Sequence, residues 1–109
     1  MTDLEITKLC AEAMGVSVIK TRAYYGSEAD SPESLPEHWL QEIGVGEWQQ
    51  YDPLHDDAQA MALVKKFKLG IGREDGDDMW AVGRIFIETI NQDLNRAICE
   101  CVAKMQGAK

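Results

Sequence analysis

Apolar residues recur with helical spacing near both ends of the chain and in its middle, and cluster with strand-like density between those stretches. Ile6, Leu9, Cys10 and Ala13 fall at i, i+3, i+4 and i+7, one face of a helix. Thr2-Asp3-Leu4-Glu5 forms a capping box ahead of them, and Gly15 offers a left-handed stop. The pattern predicts a helix over 3–14 with Cys10 on its buried face. The following residues, Val16 to Tyr25, are rich in β-branched and aromatic types, which predicts a strand over 17–24.

The central stripe is Ala60, Leu63, Val64 and Phe67, with Met61 beside it. Asp52-Pro53 reads as a cap followed by the first helical position, where proline's missing N–H costs nothing. Asp56 and Asp57 lie in the expected first turn and Lys65, Lys66 and Lys68 at the far end, the order the helix dipole favours. A helix over 54–67 follows. Leu69 and Ile71 open a strand over 69–74, Glu74 to Asp78 make an Asp-Gly turn, and Met79 to Ile87 return as the partner strand. Gly83 in that strand marks a bulge or a close helix packing. Leu94, Ala97, Ile98, Cys101, Val102 and Met105 form the stripe of a last helix over 92–106, capped by Asn91 and stopped by Gly107, with Cys99 off the stripe.

Residues 26–50 lack such a pattern. Gly, Ser, Asp, Glu and Pro dominate 26–36, a surface-loop composition. Ser34-Leu35-Pro36-Glu37 could cap a short helix through His38 to Ile43 before Gly44. The expected fold is α+β: a small, mainly antiparallel sheet covered by three main helices, in one domain with an acidic, irregular, insertion-like region over 26–50.

Charge sharpens this picture. The net charge is −8, and no Lys or Arg occurs from Ala23 through Val64. Binding to phosphate backbones needs cationic neutralisation, so nucleic acid is not expected as a partner, although the helix–strands–helix order loosely resembles double-stranded-RNA modules. A basic protein surface would be attracted instead. Trp39, Trp48 and Tyr51 concentrate aromatic area in the same region. They read either as a partner surface, together with Glu37, Glu42 and Glu47, or as packing of the region onto the sheet. A homo-oligomer fits the same features. No apolar run nears the roughly 20 residues that span a bilayer. The start of the chain has neither the basic nor the apolar segment of a signal peptide, so a membrane is not expected and the cytoplasm is. Cys10, Cys99 and Cys101, an odd number, read as free buried thiols.

Candidate chemistry is sparse. Asp52, His55, Asp56 and Asp57 could form a metal-dependent centre, but Asp56 and Asp57 already serve the helix end and no second histidine lies one turn away. Asp75-Gly76-Asp77-Asp78 lacks the 12-residue spacing of a calcium loop. Gly70-Ile71-Gly72 lacks the later glycine of a phosphate loop. Cys99 has no histidine near it in sequence to activate it. The residues suggest no catalytic constellation and no cofactor.

Residues 51–105 resemble the phage ABA sandwich domain, a family of small proteins of unknown function from tailed phages and prophages. The likeness rests on the Tyr51-Asp52-Pro53-Leu54-His55-Asp56-Asp57 lead-in to an Ala-rich helix from Ala58 to Phe67. A strand, an acidic turn and a strand around Trp80 follow, and then Leu94-Asn95-Arg96-Ala97-Ile98-Cys99 in the closing helix. The first helix, from Leu4 to Gly15, is similar to the start of these proteins and of NinX-like phage proteins. The resemblance implies a phage or prophage accessory protein in a bacterial host cytoplasm. It implies a fold and no defined activity, and it leaves out 26–50.

Overall fold

The structure, a computed structural model, describes residues 1–21, 37–73, 79–84 and 87–107. Helix α1 spans Asp3–Met14. The Glu5 N–H donates to the Thr2 hydroxyl at 3.2 Å. At the other end Gly15 adopts φ 73°, a left-handed value that glycine takes without a Cβ penalty, and the Val16 N–H reaches back to the Ala11 carbonyl at 2.9 Å. Strands β1 (Val18–Thr21), β2 (His38–Gly44) and β3 (Glu47–Tyr51) form one antiparallel sheet in that order. Helix α2 (Asp57–Phe67) leads to a second antiparallel sheet of β4 (Gly70–Arg73), β5 (Trp80–Arg84) and β6 (Ile87–Asn91), and α3 (Leu94–Gly107) closes the chain. The class is α+β, with three helices and two small sheets.

The core gathers around α3, which packs on α1, α2, β5 and β6. Ile6, Cys10 and Ala11 of α1 and Ala60 and Leu63 of α2 meet Ala97, Ile98, Cys99, Cys101, Val102 and Ala103 of α3, with Val82 of β5 beneath. Burying a side chain of the size of Ile98 or Leu63 contributes about 1.5–3 kcal/mol. Because α3 is covered on several sides, Cys99 is fully buried. The single-stripe expectation had left it off the core. All three thiols are free and buried. Thr89 of β6, also buried, donates its hydroxyl to the Ala97 carbonyl, tying the second sheet to α3.

Several expected boundaries move, each for a local reason. Residues 38–43 are not a helix, and 38–50 are not irregular: they form the β2–β3 hairpin, turning at Val45-Gly46 with Gly46 at φ 76°. Pairing with β3, and with β1 over 38–41, satisfies backbone groups on both sides of the first half of β2, which two turns of isolated helix could not match. Asp52-Pro53 is not the start of α2. The Asp52 carbonyl accepts the His55 and Asp56 N–H groups at 3.0 and 2.9 Å, so 52–56 closes a turn first and Asp56 becomes the cap. Of the expected strand over 79–87, β5 takes Trp80–Arg84, and Ile87 already begins a separate strand, β6, that pairs back on β5. Gly83 serves their close approach: a Cβ there would lie 2.7 Å from the Ile87 carbonyl oxygen. Asp93, not Asn91, caps α3, accepting the Arg96 N–H at 3.3 Å, while Asn91 accepts from the Asp93 N–H. The expected strand residues 22–24, the 26–36 loop with its Ser34 cap, and the 74–78 turn lie outside the described residues, as do Ile85 and Phe86.

Candidate functional site

The six residues expected at a partner surface fall on the first sheet and just before it, and they divide between its faces. Cross-strand partners share a face. Trp39 and Tyr51 are one such pair, Glu42 and Trp48 another, and the register shifts by a bulge between Glu42 and Gly44. The face carrying Trp39 turns inward. The Trp39 indole N–H donates to the Leu4 carbonyl of α1 at 3.0 Å, and the Lys8 ammonium lies 5.8 Å from its ring centroid, within cation–π range. Tyr51 is only 5% exposed. Both aromatics of this pair thus pack against the body of the protein.

The opposite face is open. Ile19 of β1 pairs with Leu40 of β2, and Trp48 lies one diagonal step away on β3. Ile19 is half exposed, and Leu40 and Trp48 are partly exposed. Glu42 beside Trp48 is exposed, as is Glu47 at the hairpin end. Ile43 and Val45 stand out at the tip, Val45 fully exposed. Trp48, Glu42 and Glu47 thus sit on surface available to a partner. Glu37, ahead of β2, pairs with Lys20 at 3.4 Å.

A cavity of about 360 Å³ opens between the first turns of α1 and the inner end of this sheet. Asp3, Leu4 and Thr7 form one wall, Glu37, His38 and Trp39 a second, and Gln50, Tyr51 and Asp52 with Leu54 and His55 a third. Gln59 of α2 fixes the third wall. Its side-chain carbonyl accepts the Asp52 N–H at 2.6 Å, and its amide donates to the Gln50 carbonyl at 3.0 Å. The His55 ring Nδ1 lies 2.8 Å from the Asp52 carboxylate. On the outer side Arg96 of α3 donates to Asp3 at 2.8 Å and also pairs with Glu100. These acids hold its guanidinium above its ordinary range, the hydrogen bond to Asp3 most of all.

The Tyr51 hydroxyl is buried and has no hydrogen-bond partner among the described residues. Burial pushes its ionisation well above the usual phenol range, and the nearby Cys10 and Cys99 thiols push the same way. Cys99 is also raised, first by its hydrogen bond with Cys10 and then by burial. Cys101 is raised by burial, against a smaller pull from Lys104. Buried thiols that resist ionisation make poor nucleophiles.

The four residues of the metal reading are separated by function. Asp52 holds His55, Asp56 accepts the Gln59 N–H at 3.0 Å, and Asp57 accepts from the Asn95 amide at 2.8 Å. Among the described residues no three His, Cys, Asp or Glu side chains come together as a metal site. The Asp52–His55 pair and the cavity beside it were half visible in sequence, since the two are three residues apart. The contribution of α1, nearly 50 residues away, carried no local signal. No helix among the described residues is long and apolar enough to cross a membrane. No protein-family model, curated protein or solved structure matches the chain.

Proposed function

We propose that this protein acts by binding another protein, one with a basic surface, through the outer face and tip of its first sheet. The observation that carries this reading is a partly exposed Trp48 paired with an exposed Glu42, with exposed Glu47 at the end of the same hairpin, within a stretch that contains no Lys or Arg. Aromatic anchors ringed by charge are the usual makeup of an interface: the apolar area supplies affinity, and the charges supply on-rate and partner choice. The resemblance of residues 51–105 to the phage ABA sandwich family supports a setting in a bacterial host, as an accessory protein of a phage or prophage. A basic host or phage protein, including one that uses its basic face for nucleic acid, would then be the occupant.

The test uses the immobilised protein against defined candidates, with wild type compared with Trp48→Ala. Retention should fall at least about tenfold in the variant. It should also fall as ionic strength rises from about 0.05 to 0.5 M, where screening shortens to a few ångströms. Retention that ignores both changes would refute the reading.

A further inference from the structure

The cavity between α1 and the inner end of the first sheet has a lining that selects for one kind of group. Asp3, Glu37 and Asp52 bring three carboxylates to its walls, while no Lys or Arg among the described residues lines it. The Asp52 carboxylate lies 2.8 Å from the His55 ring Nδ1. The contacts described for Asp3 and Asp52 engage one oxygen of each carboxylate, and a carboxylate has about four acceptor positions. The walls between these acceptors are flat and apolar: Trp39, Tyr51 and Leu54. Trp39 already attracts one cation, Lys8, which does not line the cavity.

From this we infer that the cavity receives an arginine side chain of the partner. Guanidinium is planar, always charged, and has five donors and no acceptor. It can stack on an aromatic wall while donating to carboxylates on two sides, which a compact lysine ammonium cannot do equally well. A volume of about 360 Å³ lies at the small end of ligand pockets, suited to one side chain and its ordered water rather than to a large cofactor. The inference rests on the reading of a basic partner and adds where that partner's key residue goes.

The experiment titrates the whole protein with N-acetyl-arginine-methylamide and with its lysine counterpart, following assigned ¹H–¹⁵N resonances. The arginine compound should bind with a dissociation constant on the order of 1 mM, roughly fivefold more tightly than the lysine compound. Its shifts should centre on the Trp39 indole N–H and the Thr7 and Gln50 amides, sparing the indoles of Trp48 and Trp80. Asp52→Asn should weaken binding at least about fivefold, and Asp57→Asn, outside the cavity, should not. If Asp52→Asn fails to fold, His55→Phe replaces it, since the His55 side chain is largely exposed and surface substitutions change stability little. Equal response to both compounds, or no loss in the cavity variant, would overturn the inference. Shifts confined to Trp48 would also overturn it while leaving the proposed partner surface standing. Binding in the cavity without capture of any basic protein would do the reverse.

Discussion

Tyr51 is the residue where packing and chemistry pull apart. Its ring joins the core, yet its hydroxyl is buried without a partner among the described residues, and an unpaired buried polar group costs about 1–3 kcal/mol. Tyr51→Phe should therefore leave stability unchanged or raise it by up to about 1 kcal/mol in denaturant unfolding. A loss above about 2 kcal/mol would mean that the hydroxyl is engaged. The fold also favours the neutral forms of Tyr51, Cys99 and Cys101. The folded chain thus keeps protons that the unfolded chain releases. This stabilisation is complete below the ordinary thiol and phenol ranges and is lost as pH rises through them. Stability should fall from about pH 9 upward, by at most about 1.4 kcal/mol per pH unit for each group. In Tyr51→Phe the fall above about pH 10 should be shallower. Lys68 is a smaller case: it holds φ 53° at the end of α2, a left-handed value that disfavours a Cβ. Lys68→Gly should raise the unfolding midpoint, gaining about 0.5–1 kcal/mol.

At the scale of elements, α1 was legible to the residue, because cap, stripe and stop all lie within its own 14 positions. The existence of α2 and α3 was equally plain from their stripes, but their first turns were not. Asp52 and Asp56 are both good caps by type, and so are Asn91 and Asp93. What decides between them is the turn closed by the Asp52 carbonyl and the side chain of Asn91 folding onto the Asp93 N–H. Asp56→Ala and Asp93→Ala should each cost about 1 kcal/mol in thermal or denaturant unfolding, and Asn91→Ala less. Equal costs at Asn91 and Asp93 would contradict the assigned cap. The β2–β3 hairpin was misread because Ser34, Glu37 and Gly44 mimic helix punctuation, whereas its true support is pairing with β1 some 20 positions away. Such long-range pairing leaves little trace in local pattern. Gly83 was noticed as special, but only the Ile87 carbonyl opposite shows that strand approach, rather than helix packing, demands it.

Across the whole molecule, charge and shape are arranged together. The chain extends about 47 × 27 × 22 Å, with the three helices holding most of the core. The β2–β3 hairpin, which has no Lys or Arg, packs through Trp39 against α1. Excess negative charge on such a face draws positively charged partners from solution and repels nucleic acid. The sequence made this polarity visible, along with the grouping of Trp48, Glu42 and Glu47 in it. It did not separate them from Trp39 and Tyr51, because alternation within β2 and β3 sorts the faces only once the strands are known. The most direct measurement compares the basic proteins retained by wild type with those retained by a Glu42→Lys/Glu47→Lys double variant of equal stability at low salt. Loss of at least about tenfold in retention by the charge-reversed hairpin is the predicted result, and undiminished retention would contradict the proposed function.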